Sequence, residues 1–360
     1  MPRIAGGVRL GIFQPSNANC YFPTTTPGAT DGTYGANLAV LKLCDEIGMS
    51  FSLPVARWKR VIGEHLNWCD HGIDTIVLAA AGLQATKRLV IFSTVHTELL
   101  HPVIAAKLGA DMDHVGRGRW GLNIVAGWSE PEFHSMGFQL RAHEDRYRHA
   151  QEWLSIVREL WSEGESSFRG EYFQLDGAEC HPRPLQTGGP VVVNAGASPS
   201  GQRFALDNAS YLFTVSPEDD KFRRLGDSEG SNVGYIGTKK VIVRKTRSEA
   251  EALAEDIFRG VDRLAMANQV GRPGRETSDV AARLLIDEGH LRETVMGQAI
   301  IGSPEDVGRG LAAWCLKTAV DGVCLTLFDY ERELELLAEG SFEVLGEELA
   351  AAGKSLVLES

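Results

Sequence analysis

The chain has 360 residues, of which 43% are hydrophobic and 23% charged, and a formal net charge of −12. Its length suits one α/β barrel with a large core, and its composition excludes a disordered chain or a bundle of membrane spans. The acidity argues against a nucleic-acid or anionic-membrane surface, and six scattered cysteines without a Cys-x-x-Cys pair read as reduced thiols.

The N-terminal Met1-Pro2-Arg3-Ile4-Ala5 lacks the long apolar stretch of a secretory signal, which points to the cytoplasm. Eight short β-branched or apolar runs follow in order, at 8–13, 51–53, 89–94, 121–125, 190–194, 211–215, 240–243 and 323–327. Helical patterns lie between several of them. From near Glu144, for example, Ala150, Trp153, Leu154, Val157 and Trp161 fall on one face. Strand-helix alternation repeated eight times predicts a (β/α)8 TIM barrel, with residues 1–360 as a single domain. Two places break the rhythm. Between strands six and seven only residues 216–232 are available, predicting a shortened link of one short helix plus a mobile loop. Residues 248–303 are helical for longer than one crossover needs, with Gly271-Arg272-Pro273-Gly274 as a breaker, and read as a helical insertion.

Gly116-Arg117-Gly118-Arg119-Trp120-Gly121 has dinucleotide-fingerprint spacing, but a helix precedes it and a strand follows, the reverse of what that motif requires. A helix-to-strand turn is the better reading. Asn123 is more informative, because a polar side chain among Leu122, Ile124 and Val125 needs a partner, and a bound ligand can be that partner. A barrel gathers ligands at the C-terminal ends of its strands. The polar residues there are Asn17, Asn19, Arg57, Trp58, Thr94, His96, Asn123, Trp128, Glu132 and Ser198. In Gly196-Ala197-Ser198-Pro199, Ser198 is placed to cap a helix, and with Arg146 and Tyr147 it can form a phosphate cradle. An ordinary capped helix with a surface arginine explains those residues as well. His65, Cys69, Asp70 and His71 lack metal-ligand spacing, so no metal is expected.

These residues together resemble the bacterial luciferase-like flavin-dependent monooxygenases, in the branch of the pyrimidine, dimethyl sulfone and alkanesulfonate enzymes. The resemblance spans nearly the whole chain. It is carried by Gly11-Ile12-Phe13-Gln14-Pro15, Phe92-Ser93-Thr94, His101-Pro102, the segment from Gly121 to Trp128 with Glu132, Asp145-Arg146-Tyr147, Asn194-Ala195-Gly196-Ala197-Ser198 and Gly322-Val323-Cys324-Leu325-Thr326. It implies reduced FMN supplied by a separate NAD(P)H:flavin reductase, dioxygen as co-substrate, a small heterocyclic or sulfur-bearing substrate, and a homodimer or tetramer. By the same resemblance Ala56, Arg57, Asn123, Glu132, Arg146, Tyr147, Gly196, Ala197 and Ser198 hold the flavin. Thr94 and Asn123 hold dioxygen, and His96 is placed to shuttle a proton or to pack in the core. Asn19, Trp58, His65, Trp68 and Trp128 are candidate substrate contacts. Two departures stand out: the short link with Lys221, Arg223 and Arg224 replaces a region that commonly closes over the flavin, and the 59–72 loop lacks the branch's Gly-rich pattern. A deazaflavin-dependent oxidoreductase and a non-catalytic flavin-binding protein stay open as alternatives on the same fold.

Overall fold

A computed structural model describes residues 1–19, 21–215, 227, 230–270 and 278–359. The predicted barrel is present. Its strands are β1 (Gly7–Gln14), β2 (Phe51–Pro54), β3 (Val90–His96), β4 (Trp120–Val125), β5 (Val191–Asn194), β6 (Tyr211–Thr214), β7 (Gly234–Val243) and β8 (Gly322–Thr326). Each pairs in parallel with the next, and β8 returns to β1 to close the cylinder. One boundary differs from the sequence expectation: β7 begins at Gly234, well before Lys240. Thr238, Lys239 and Lys240 interrupt the apolar pattern there, which hides the first half of the strand from a periodicity argument.

Alternation along the strands sends Phe51, Leu53, Phe92, Val193, Tyr211, Phe213, Ile236 and Cys324 into the barrel interior. Phe51 and Phe92 meet edge-to-face at 6.4 Å. Gly121 is what admits the second ring, since a Cβ on it would lie 2.3 Å from Phe92.

The outer layer begins with α1 (Tyr34–Glu46), α2 (Thr75–Ala85), α3 (Pro102–Val115), the short α4 (Glu130–Ser135), α5 (His143–Glu163) and α6 (Pro199–Asn208). On α5 the predicted stripe is buried, and its two indoles are satisfied: Trp153 donates to the Leu100 carbonyl at 2.7 Å and Trp161 to the Ala106 carbonyl at 2.9 Å. The Gly116 to Arg119 segment is a turn from α3 into β4, with Arg117 and Gly118 at positive φ. It sits at the N-terminal end of the barrel strand, away from the ligand-binding mouth.

The proposed link at 216–232 lies mainly outside the described residues, as do Lys221, Arg223, Arg224 and the breaker at 271–274. After β7 come α7 (Arg247–Arg259), α8 (Arg263–Val270), α9 (Ser278–Ile286) and α10 (Glu288–Met296). A short strand, Ile300–Gly302, pairs in parallel with Val241–Val243 at the end of β7, and the crossover helix α11 (Pro304–Thr318) leads to β8. Ile257, Phe258, Leu284, Leu291 and Val295 of this segment pack with Phe22, Ile242 and Phe328. The end of β7 is tied down by a buried pair, Arg244 to Glu333 at 2.8 Å. Glu333 also accepts from the backbone N–H groups of Val243, Phe328 and Asp329. No helix among the described residues is long and apolar enough to cross a membrane.

Candidate active site

At the C-terminal ends of the strands lies a cavity of about 590 Å³, lined by residues from β1 to β6 and the loops that follow them. Its floor is set by strand register. Thr94 of β3 stands opposite Asn123 of β4, so both side chains point inward at the same height. The Thr94 hydroxyl donates to the Pro54 carbonyl at 2.5 Å, and Asn123 Nδ2 donates to Thr94 Oγ1 at 3.0 Å. With the hydroxyl hydrogen committed to Pro54, Thr94 Oγ1 can only accept from Asn123, which leaves Asn123 Oδ1 facing the cavity. That oxygen is buried and has no protein partner. A buried carbonyl oxygen left this way costs about 1–3 kcal/mol unless a ligand satisfies it.

His96 follows on the same face of β3, 3% exposed, edge-on to Trp58 at 4.9 Å and tilted against Phe133 at 6.0 Å. Burial, aided by the nearby Arg57 charge, lowers its pKa to about 4. The ring is therefore neutral through the physiological range, and its Nδ1 has no protein partner.

The opposite wall is built on α5 and α6. Ser198 caps α6, accepting from the Gly201 N–H at 3.2 Å, and Pro199 occupies the first turn. Tyr147 hydrogen-bonds Ser198, although burial is what raises its pKa most. A Cβ at Gly201 would lie 2.4 Å from Tyr147 Oη and 2.7 Å from the Gly196 Cα. The two glycines thus let backbone, phenol and helix N-terminus close on one point. Arg146 joins them, holding the Gly127 carbonyl while lining the cavity.

Arg57 and Glu132 are brought together, but not onto the cavity wall. They form an ion pair at 2.7 Å with side chains only 5% and 2% exposed. Arg57 also donates to the Lys59 carbonyl at 3.2 Å and to Gln269 at 3.4 Å, and lies 5.1 Å from the Trp128 ring. Neither partner lines the cavity, whereas Ala56, Trp128, Gly196 and Ala197 do. The pair braces the loops after β2 and β4 from behind.

The remaining candidates divide. Trp58 stands beside the cavity through its contact with His96. Asn19 is taken up locally: its side chain donates to the Thr24 carbonyl at 2.8 Å, and its own carbonyl accepts from Trp68 Nε1 at 2.9 Å. His65 projects to solvent, 63% exposed, while its backbone N–H meets Asp262 at 2.6 Å. Neither Asn19 nor His65 lines the cavity. Phe13, Leu140, His143, Asn194 and Phe213 do line it and were not singled out as ligand contacts. Asn194, again a polar residue in an apolar strand, carried the signal that identified Asn123; its amide bridges the Ile124 carbonyl and the Gly196 N–H. No cluster of His, Cys, Asp and Glu able to hold a metal ion occurs among the described residues.

Comparison with known proteins bears on this site. The family described as luciferase-like monooxygenase matches residues 11–321. Pyrimidine monooxygenase RutA of Serratia proteamaculans is 27% identical over 349 residues, covering 92% of this chain and 94% of that protein. RutA of Allorhizobium ampelinum is 29% identical over 340 residues, covering 89% and 92%. Among solved structures, riboflavin lyase RcaE superposes with a TM-score of 0.81 at 18% identity, covering 98% of this chain and 94% of the other. The long-chain alkane monooxygenase LadA gives 0.78 at 17%, covering 98% and 93%.

Proposed function

Because the chain belongs to the luciferase-like monooxygenase family, we propose that it is a flavin-dependent monooxygenase. In this reading it takes reduced FMN from a separate NAD(P)H:flavin reductase and puts one atom of dioxygen into a small heterocyclic or sulfur-bearing molecule. The observation that carries the reading is the unpartnered, buried Asn123 Oδ1 beside Thr94, across one cavity from a glycine-lined helix cap. One end is an orphaned acceptor for a ring N–H. The other is a site for a phosphate.

The residues present fit FMN. Ser198, Tyr147 and Arg146 would hold its phosphate, with the N-terminus of α6 adding its dipole. Ala56, Gly196 and Ala197 leave room for a flat ring where larger side chains would not. Bound reduced FMN would supply the electrons that activate dioxygen. Thr94, fixed by Pro54, holds the Asn123 amide in one orientation, so that Oδ1 positions the ligand without reorganisation. Neutral His96 offers a hydrogen-bonding nitrogen and, with a pKa of about 4, is a weak base at neutral pH. Leu53, Ile124 and Phe213 supply an apolar wall that excludes water from the reacting region.

The test is a titration with reduced FMN and a reduced deazaflavin under anaerobic conditions, followed by oxygen admission in the presence of heteroaromatic amides, sulfones and sulfonates. Preferential FMN binding and incorporation of labelled oxygen into one product class support the reading. Preference for the deazaflavin without oxygen uptake, or oxygen uptake without any product, refutes it.

A further inference from the structure

A second cavity, of about 410 Å³, adjoins the first on the β7–β8 side of the barrel mouth, and Phe13 and Val215 line both. Its walls are of two kinds. One is aromatic: Phe13 stacks on Tyr21 with ring centroids 4.3 Å apart and planes 20° from parallel, and Trp68 stands with them. The other is polar and comes from strand register. Thr238 and Lys240 share the inward face of β7 with Ile236, and Lys240 is paired directly with Thr326 of β8.

Lys240 is the unusual member. Half-buried on the inward face of the strand, its ammonium is partly withdrawn from water, which lowers its pKa to about 8. It still carries its proton for most of the time at neutral pH. Of three ammonium donors, one goes to the Val295 carbonyl at 2.7 Å, and the ammonium stands 5.4 Å from the Phe22 ring centroid. Among the described residues it has no ion-pair partner. The nearest acid on the cavity wall, Glu293, is exposed and folds against Gly297 at the rim. Lys239, on the other face of the strand, lies over Trp314 at 5.2 Å. No carboxylate among the described residues pairs with this charge, and a bound anion would lower the cost of holding it here.

We propose that this annex binds the acidic end of the substrate, so that the molecule oxygenated here is a small organic anion: a carboxylate or sulfonate on Lys240 with Thr238 and Thr326 beside it, and its apolar body against Phe13, Tyr21 and Trp68. The assignment rests on the reading of the neighbouring cavity as the flavin site, since only then is a molecule seated against Phe13 a substrate. Phe13, shared by the two cavities, is the contact across which the anchored molecule faces the flavin.

The experiment compares benzoate and benzenesulfonate with neutral benzamide by calorimetry on the flavin-free protein, with FMN titrated separately. The anions are expected to bind about tenfold or more tightly than benzamide. In Lys240→Met that preference disappears, in Lys240→Arg it persists, and FMN affinity stays unchanged in both. Equal binding of anion and amide by the unsubstituted protein, no binding of either anion, or a preference that survives Lys240→Met each overturns the proposal. The unsubstituted protein alone decides the first two, so a variant that fails to fold leaves the proposal open to refutation. FMN binding without an anion preference overturns the annex and leaves the flavin reading standing. An anion preference without FMN binding overturns the flavin reading, and the substrate assignment with it.

Discussion

The buried imidazole of His96 ties the site to the stability of the fold in a way that acid can measure. In the unfolded chain this ring takes up a proton near 6.5; in the native barrel it does so only at about 4, because burial and Arg57 disfavour the charge. Between those values acid therefore favours the unfolded state. Stability that is fully present above 6.5 is lost as the pH falls, and the loss is complete below about 4. At about 1.4 kcal/mol for each tenfold change in proton affinity, the total is about 3 kcal/mol, most of it already gone by about pH 4.5. His96→Phe removes the titrating group and keeps a ring to pack on Trp58 and Phe133. Urea unfolding of both proteins at about pH 7.5 and about pH 4.5 gives the comparison, in which other groups cancel. Glu333, raised by burial to about 7, and His149, lowered to about 4, act alike in each. The difference between the two proteins should shift by about 2–3 kcal/mol in favour of His96→Phe on acidification. Parallel pH profiles would refute the reasoning, because His96 would then titrate alike in the folded and unfolded chains.

Three further outcomes follow from the site. Thr94→Ala and Asn123→Ala should keep FMN affinity within about tenfold yet lower product formed per oxygen consumed by about a hundredfold, because a preorganised donor–acceptor pair is lost; unchanged coupling would count against it. Gly201→Ala places a methyl 2.4 Å from Tyr147 Oη and 2.7 Å from the Gly196 backbone, which cannot yield as a side-chain tip can. FMN affinity, read by flavin fluorescence, should fall about tenfold or more, and an unaltered Kd would separate this cradle from the phosphate. Arg57→Met removes the cation from a buried ion pair with Glu132 and should cost about 3–5 kcal/mol in chemical denaturation. Glu132→Gln should cost less, since it buries a neutral amide in place of an anion and Arg57 keeps Lys59, Gln269 and Trp128; the reverse order would refute that reasoning.

What the sequence disclosed depended on whether a residue's role was visible against its own neighbours. Asn123 stands out because an amide in an apolar strand violates the local pattern, and once eight strands close a barrel its inward direction follows from parity. Thr94 is reached the same way, one strand over. The Ser198 cap needs only the adjacent Pro199 and helical pattern. Arg57 and Glu132 offered no such contrast: each is an ordinary polar residue in a loop, and their pairing depends on how the segments after β2 and β4 meet, a tertiary fact that spacing does not encode. The resemblance alone placed them on the flavin, and the structure pairs them with each other.

Lys240 is a stronger instance of the same limit. In one dimension it marked the apparent start of a strand, because Thr238, Lys239 and Lys240 separate the apolar Val241–Val243 from the earlier half of β7. In the folded barrel the same residue continues the inward face that Ile236 begins, and its ammonium enters a cavity rather than solvent. The misplaced strand boundary and the overlooked cation have one cause: a strand that lines a ligand site must carry polar residues where a strand that only builds a core would carry valine. The loss of hydrophobic pattern at the mouth end of β7 is therefore a signature of binding. Asn194 at the end of β5 is a second instance: an amide closes a run of valines and lines the first cavity.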